Sequence, residues 1–129
     1  MIDSVKSILE KLGYEINAED RHLAEFFNEN GYCVIPKSDF VSKNIDEYRQ
    51  IIDSLLQKES WRGGWEGKEE YIKYQKDFQP GASRLGNLFN KHDLFLELLT
   101  EKNILKIAYL ILGDDIKVGA LDMREPKKG

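Results

Sequence analysis

The charged side chains Arg84, Asp122 and Arg124 lie in two stretches that read as strands. A guanidinium presents two parallel donors that match a carboxylate. Arg84 lies in Ser83–Phe89, a stretch that reads as a strand. Alternation there puts Arg84, Gly86 and Leu88 on one face and Leu85, Asn87 and Phe89 on the other. Asp122 and Arg124 close a second stretch, Ile116–Arg124, on a face shared with Ile116, Val118 and Ala120. An apolar start followed by Ala, Asp and Arg fits a face that leaves a core and enters a polar cavity. A solvated strand end, or a surface salt bridge between Asp122 and Arg124, fits the same residues.

Other reactive types are sparse. The two histidines are His22, on a helix with Glu19 and Glu25, and His92, at a helix start beside Asp93; neither has metal-ligand spacing. The single cysteine, Cys33, excludes an intrachain disulfide, and its apolar run Tyr32-Cys33-Val34-Ile35 reads as a buried, inert thiol. No phosphate-cradling glycine loop, nucleophile elbow or Cys-x-x-Cys is present. Trp61-Arg62-Gly63-Gly64-Trp65-Glu66-Gly67 reads as a loop, whose tryptophans either fold back on the core or close over a ligand. On these residues the chain is not a complete enzyme: no catalytic residue and no metal ligand is expected within it.

Bulk properties narrow the partners. A net charge of −4 without a clustered basic face argues against nucleic acid and anionic membranes. No apolar run approaches the roughly 20 residues that span a bilayer, and the N-terminus lacks a signal-peptide pattern. A cytoplasmic location is expected.

The elements that must position these residues follow from periodicity. Val5, Ile8, Leu9 and Leu12 predict a short amphipathic helix over Ser4–Leu12, stopped by Gly13. Asn17 caps a second helix, Ala18–Asn30, with Glu19 and Asp20 in its first turn. Tyr32–Ile35 reads as a short strand ending at Pro36. Asn44–Lys58 has the clearest helical stripe. Glu69–Lys76 reads as a helical turn or surface crossing, and Gln79-Pro80-Gly81 as a turn. His92–Leu99 and Lys102–Leu112 predict two more helices, the second apolar over more than half its circumference and so buried on more than one side. The class is α+β.

The order of these pieces resembles the N-terminal part of the phytanoyl-CoA dioxygenase family. The resemblance runs from Ala18 to Gly129. Its carriers are Phe26-Phe27-Asn28-Glu29-Asn30-Gly31-Tyr32-Cys33-Val34-Ile35-Pro36, then Asn87-Leu88-Phe89 with His92-Asp93-Leu94-Phe95, then Ile111-Leu112-Gly113-Asp114-Asp115. Last come the strand and Arg124-Glu125-Pro126-Lys127-Lys128-Gly129. The resemblance implies iron(II)- and 2-oxoglutarate-dependent oxygenation of a small-molecule or acyl substrate. The implied fold is a double-stranded β-helix (jelly-roll or cupin-like), of which this chain supplies the helical layer and first strands. It implies one partial domain over residues 1–129, with residues 1–16 as an added N-terminal helix. It also implies that the iron-ligating His-x-Asp pair, the distal histidine and the basic residue gripping 2-oxoglutarate lie beyond Gly129. Iron and 2-oxoglutarate would then belong to a longer protein and bind poorly to this chain. An exposed sheet edge would favour self-association. Arg84 matches a basic residue near the cosubstrate, and Asp122 and Arg124 match cavity-facing positions where the family often has Gln, Met or Asn.

Overall fold

The computed structural model describes residues 4–59 and 82–126. In chain order its elements are α1 (Val5–Leu12), α2 (Ala18–Asn30), α3 (Asp39–Lys43), α4 (Ile45–Glu59), β1 (Ala82–Leu85), α5 (Asp93–Leu96), α6 (Lys102–Leu112) and β2 (Met123–Pro126). Short 3-10 turns cover Leu88–Asn90 and Glu97–Thr100. Among the described residues this is a mixed helical fold with one two-stranded antiparallel sheet, an α+β arrangement. The readings for the Trp61–Gly67 loop, Glu69–Lys76 and the Gln79-Pro80-Gly81 turn lie outside the described residues. The chain divides into two compact units, Met1–Lys43 with Glu97–Val118, and Asn44–Leu96 with Gly119–Gly129.

The first unit is built from helices. In α1, the Ser4 hydroxyl accepts the Ser7 N–H at 3.2 Å, and Val5 and Leu9, one turn apart, are buried. Two further amides at the helix start find partners on the Asp114 turn. Lys6 N–H donates to Asp114 Oδ1 at 2.7 Å and Val5 N–H to the Asp114 carbonyl at 3.4 Å. An acidic side chain at that end satisfies orphan donors and complements the helix dipole. α1 and α2 both pack on α6. α2 begins with a capping box, in which Asn17 and Asp20 each accept the other's backbone N–H at 2.9 Å. It ends at Gly31, whose φ of 78° an L side chain adopts only under strain.

Two sequence expectations change in this unit. Tyr32–Ile35 is not a strand, because no described segment pairs with it and a strand needs a ladder partner. The period of two persists all the same: Tyr32 and Val34 are 60% and 78% exposed, while Cys33 and Ile35 are half-buried. Cys33 is therefore less enclosed than its apolar run suggests. In α6, Lys106 and Ile107 are buried and residues 108–111 half-buried, while Ile104 and Leu112 remain exposed. Asn103 anchors the chain after α2 by donating to the Pro36 carbonyl at 3.3 Å.

The second unit centres on Tyr48, Leu85, Leu88 and Phe95, all buried. Tyr48 packs its ring 5.6 Å from Phe95 and donates its hydroxyl to the Leu94 carbonyl at 2.9 Å, tying α4 to α5. An amphipathic tyrosine suits this place, with its body in the core and its hydroxyl satisfied. The strand expected over Ser83–Phe89 covers only Ala82–Leu85, because the chain turns at Gly86-Asn87 and enters the 3-10 turn. Asn87 has φ 54°, a left-handed conformation that asparagine tolerates better than most residues. The strand expected over Ile116–Arg124 is displaced toward the C-terminus: residues 116–122 are irregular, and β2 holds Met123–Pro126. With only four residues in β1, only four can be paired. The helix expected over His92–Leu99 breaks into α5 and the 3-10 turn that follows.

Candidate functional site

The β1–β2 register brings the three candidate residues together. Ala82 pairs with Pro126, Ser83 with Glu125, Arg84 with Arg124 and Leu85 with Met123. Residues directly opposite in an antiparallel pair share a face, with Cβ atoms about 4.5–5.5 Å apart. Arg84 and Arg124 therefore stand side by side as like charges. Asp122, two residues before Arg124, lies on the diagonal from Arg84. Its Oδ2 accepts from Arg84 Nη2 at 3.0 Å. The sequence left open a pairing of Asp122 with Arg124; the structure pairs it with Arg84.

Asp122 also ties the strand end to the turn. Its Oδ1 accepts the Asn87 backbone N–H at 3.0 Å, and the Leu121 carbonyl accepts the Leu88 N–H at 2.9 Å. The Asn87 amide, then the Arg84 guanidinium, hold the Asp122 carboxyl below its ordinary value near 3.8, because both favour the ionised form. Asp122 therefore acts as a fixed acceptor at neutral pH. The cluster is partly solvated, with side-chain exposures of 29% for Arg84 and 37% for Asp122, and Arg124 is exposed. The ladder thus places two guanidinium groups on one face of the sheet, beside the Asp122 carboxylate.

Asn87 is a contributor that sequence reasoning did not single out. Its signal was its place after Gly86, since Gly-Asn marks a turn that can turn a backbone N–H toward a neighbouring side chain. The buried Asp20–Lys106 pair of the first unit was also missed. Asp20 was read only as a helix-dipole acid, although the spacing Asn17-x-x-Asp20 resembles a capping box and Lys106 interrupts an apolar helix. His22 and His92 are both exposed, and among the described residues no group of three or more His, Cys, Asp or Glu could hold a metal ion. No helix of the described residues is long and apolar enough to cross a membrane. No protein-family model, curated protein or solved structure matches the chain.

Proposed function

We propose that this chain is the N-terminal segment of an iron(II)- and 2-oxoglutarate-dependent dioxygenase of the phytanoyl-CoA dioxygenase type. In this reading β1 and β2 belong to the first strands of a double-stranded β-helix. The observation that supports it is the cross-strand pairing of Arg84 with Arg124, with Asp122 hydrogen-bonded to Arg84. The residues fit the cosubstrate in part. A carboxylate of 2-oxoglutarate would sit against the Arg124 guanidinium on the face it shares with Arg84, with Asp122 hydrogen-bonded to Arg84 beside it. The described residues do not fit iron, and no step of the chemistry is assigned to metal ligands in this chain. In the longer protein dioxygen would be the oxidant, iron(II) would activate it and 2-oxoglutarate would supply two electrons as it loses CO2 to become succinate, so that a C–H bond of a small or acyl substrate is hydroxylated.

The test is 2-oxoglutarate turnover by the longest natural protein that carries this sequence, supplied with iron(II) and oxygen, with succinate as the readout. Succinate formation with a KM for 2-oxoglutarate that rises in Arg124→Ala supports the reading. A reading frame that continues without a His-x-Asp pair, together with no succinate, overturns it. In that event a non-catalytic α+β binding module is the better account. Sedimentation velocity separates the two on the 129-residue chain. The segment reading expects self-association through an open sheet edge, whereas a binding module sediments as a monodisperse monomer.

A further inference from the structure

A pocket of about 260 Å³ lies against α4, lined by Gln50, Ile51, Ser54, Leu55, Lys58, Lys91 and His92. Gln50, Ser54 and Lys58 follow one another at intervals of four and so form a single polar stripe on the helix. Ile51 and Leu55, both half-buried, form a parallel apolar stripe. Lys91 and His92 close the pocket from the turn before α5.

Among the described residues that line it, five carry hydrogen-bond donors. His92 is held in place: its Nδ1 accepts the Leu94 N–H at 3.1 Å, and its ring meets the buried Phe95 edge-on at 6.5 Å. An imidazole that accepts at Nδ1 carries its proton at Nε2, so His92 offers a donor even when neutral. Lys91 is paired with Glu59, Nζ to Oε2, at 2.5 Å.

We infer that this pocket binds an organic phosphate monoester. The phosphate oxygens would face Lys58, Lys91, Ser54, Gln50 and His92 Nε2, and the carbon chain would lie over Ile51 and Leu55. Several acceptor oxygens on one group match several convergent donors, and the apolar stripe distinguishes an ester from the free ion. The inference stands apart from the dioxygenase reading, because it uses none of Arg84, Asp122 or Arg124.

The test is titration of the whole chain with n-butyl phosphate and, separately, with inorganic phosphate, at constant ionic strength and neutral pH. Amide chemical shifts of Ser54, Lys58 and His92 report binding. Saturable shifts are expected with both, tighter for the alkyl ester. Lys58→Ala should weaken butyl phosphate about fivefold, in keeping with one exposed charge-assisted contact. Ser54→Ala should weaken it less, and the thermal midpoint of each variant checks that it remains folded. Absence of saturation, or equal affinity in wild type and a folded Lys58→Ala, overturns the inference. Equal affinity for the ester and the free ion overturns the assignment of Ile51 and Leu55.

Discussion

Lys106 Nζ of α6 meets Asp20 Oδ2 of α2, with the two side chains only 3% and 7% exposed. The same Asp20 oxygen accepts the Asn17 N–H of the capping box, and Lys106 also donates to the Glu15 carbonyl at 3.4 Å. The start of α2 and the middle of α6 are thus locked in one register. A buried pair adds little net stability over a well-packed apolar pair, but removing one partner strands the other charge. Asp20→Ala should therefore cost about 3–5 kcal/mol, and Asp20→Ala with Lys106→Met distinctly less than the sum of the single changes. Urea unfolding of the four species measures the coupling. Strict additivity would show that the pair does not act as a unit.

The Asp122 carboxyl has its folded pKa below its ordinary value near 3.8. A depressed carboxylate contributes stability that is fully present above that ordinary value and is lost as pH falls through the folded one. The window is therefore below about pH 4, and this cluster contributes no pH dependence near neutrality. Since Asp122 is more than a third exposed, the contribution is small, about 0.2–1 kcal/mol. Asp122→Asn keeps an acceptor for the Asn87 amide but cannot ionise. Its acid-unfolding curve should fall less steeply than that of the wild type between pH 4 and 2, as followed by circular dichroism. Superimposable curves would remove Asp122 from the acid transition.

Helix positions were legible in the sequence because their signals are local. The stripes of α1, α2, α4 and α6, the Asn17 cap and the stops at Gly13, Gly31 and Gly113 each lie within one or two turns of chain. Strand boundaries were not, because a strand depends on its partner. Tyr32–Ile35 has the composition and alternation of a strand but no ladder among the described residues. Ile116–Arg124 has the same composition, yet pairing starts only at Met123, where β1 stands opposite. Alternation could not place Asp122, since the strand it assumed over residues 116–122 is irregular. Which of Asp122 and Arg124 holds Arg84 was not legible either, since that depends on a register between residues 38 apart in sequence.

Gly31 allows a clean backbone test. A Cβ built there meets nothing within 4 Å, so a substitution meets no steric obstacle beyond the backbone itself. Its φ of 78° is left-handed, where an L residue loses about 1–2 kcal/mol. Gly31→Ala should lower stability by about that amount, and Gly31→Asn by less, because asparagine tolerates this region. Equal losses in the two variants would point to a cause other than backbone conformation.

Arg124 allows stability and binding to be separated. It faces Arg84 directly across the ladder, and like charges directly opposite oppose pairing. Replacing Arg124 by Thr removes the repulsion and adds a good strand former, so stability should rise by about 0.2–1 kcal/mol. If the arginine pair is retained to hold a carboxylate, the same variant should lose affinity for 2-oxoglutarate. Arg124→Lys should recover part of it, as a point charge without the guanidinium fork. Chemical denaturation of the chain gives the first quantity, and 2-oxoglutarate titration of the longest natural protein gives the second. A more stable variant with weaker binding is the signature of a residue kept for its ligand at a cost to the sheet. A variant that is less stable and binds equally well would assign Arg124 to packing alone.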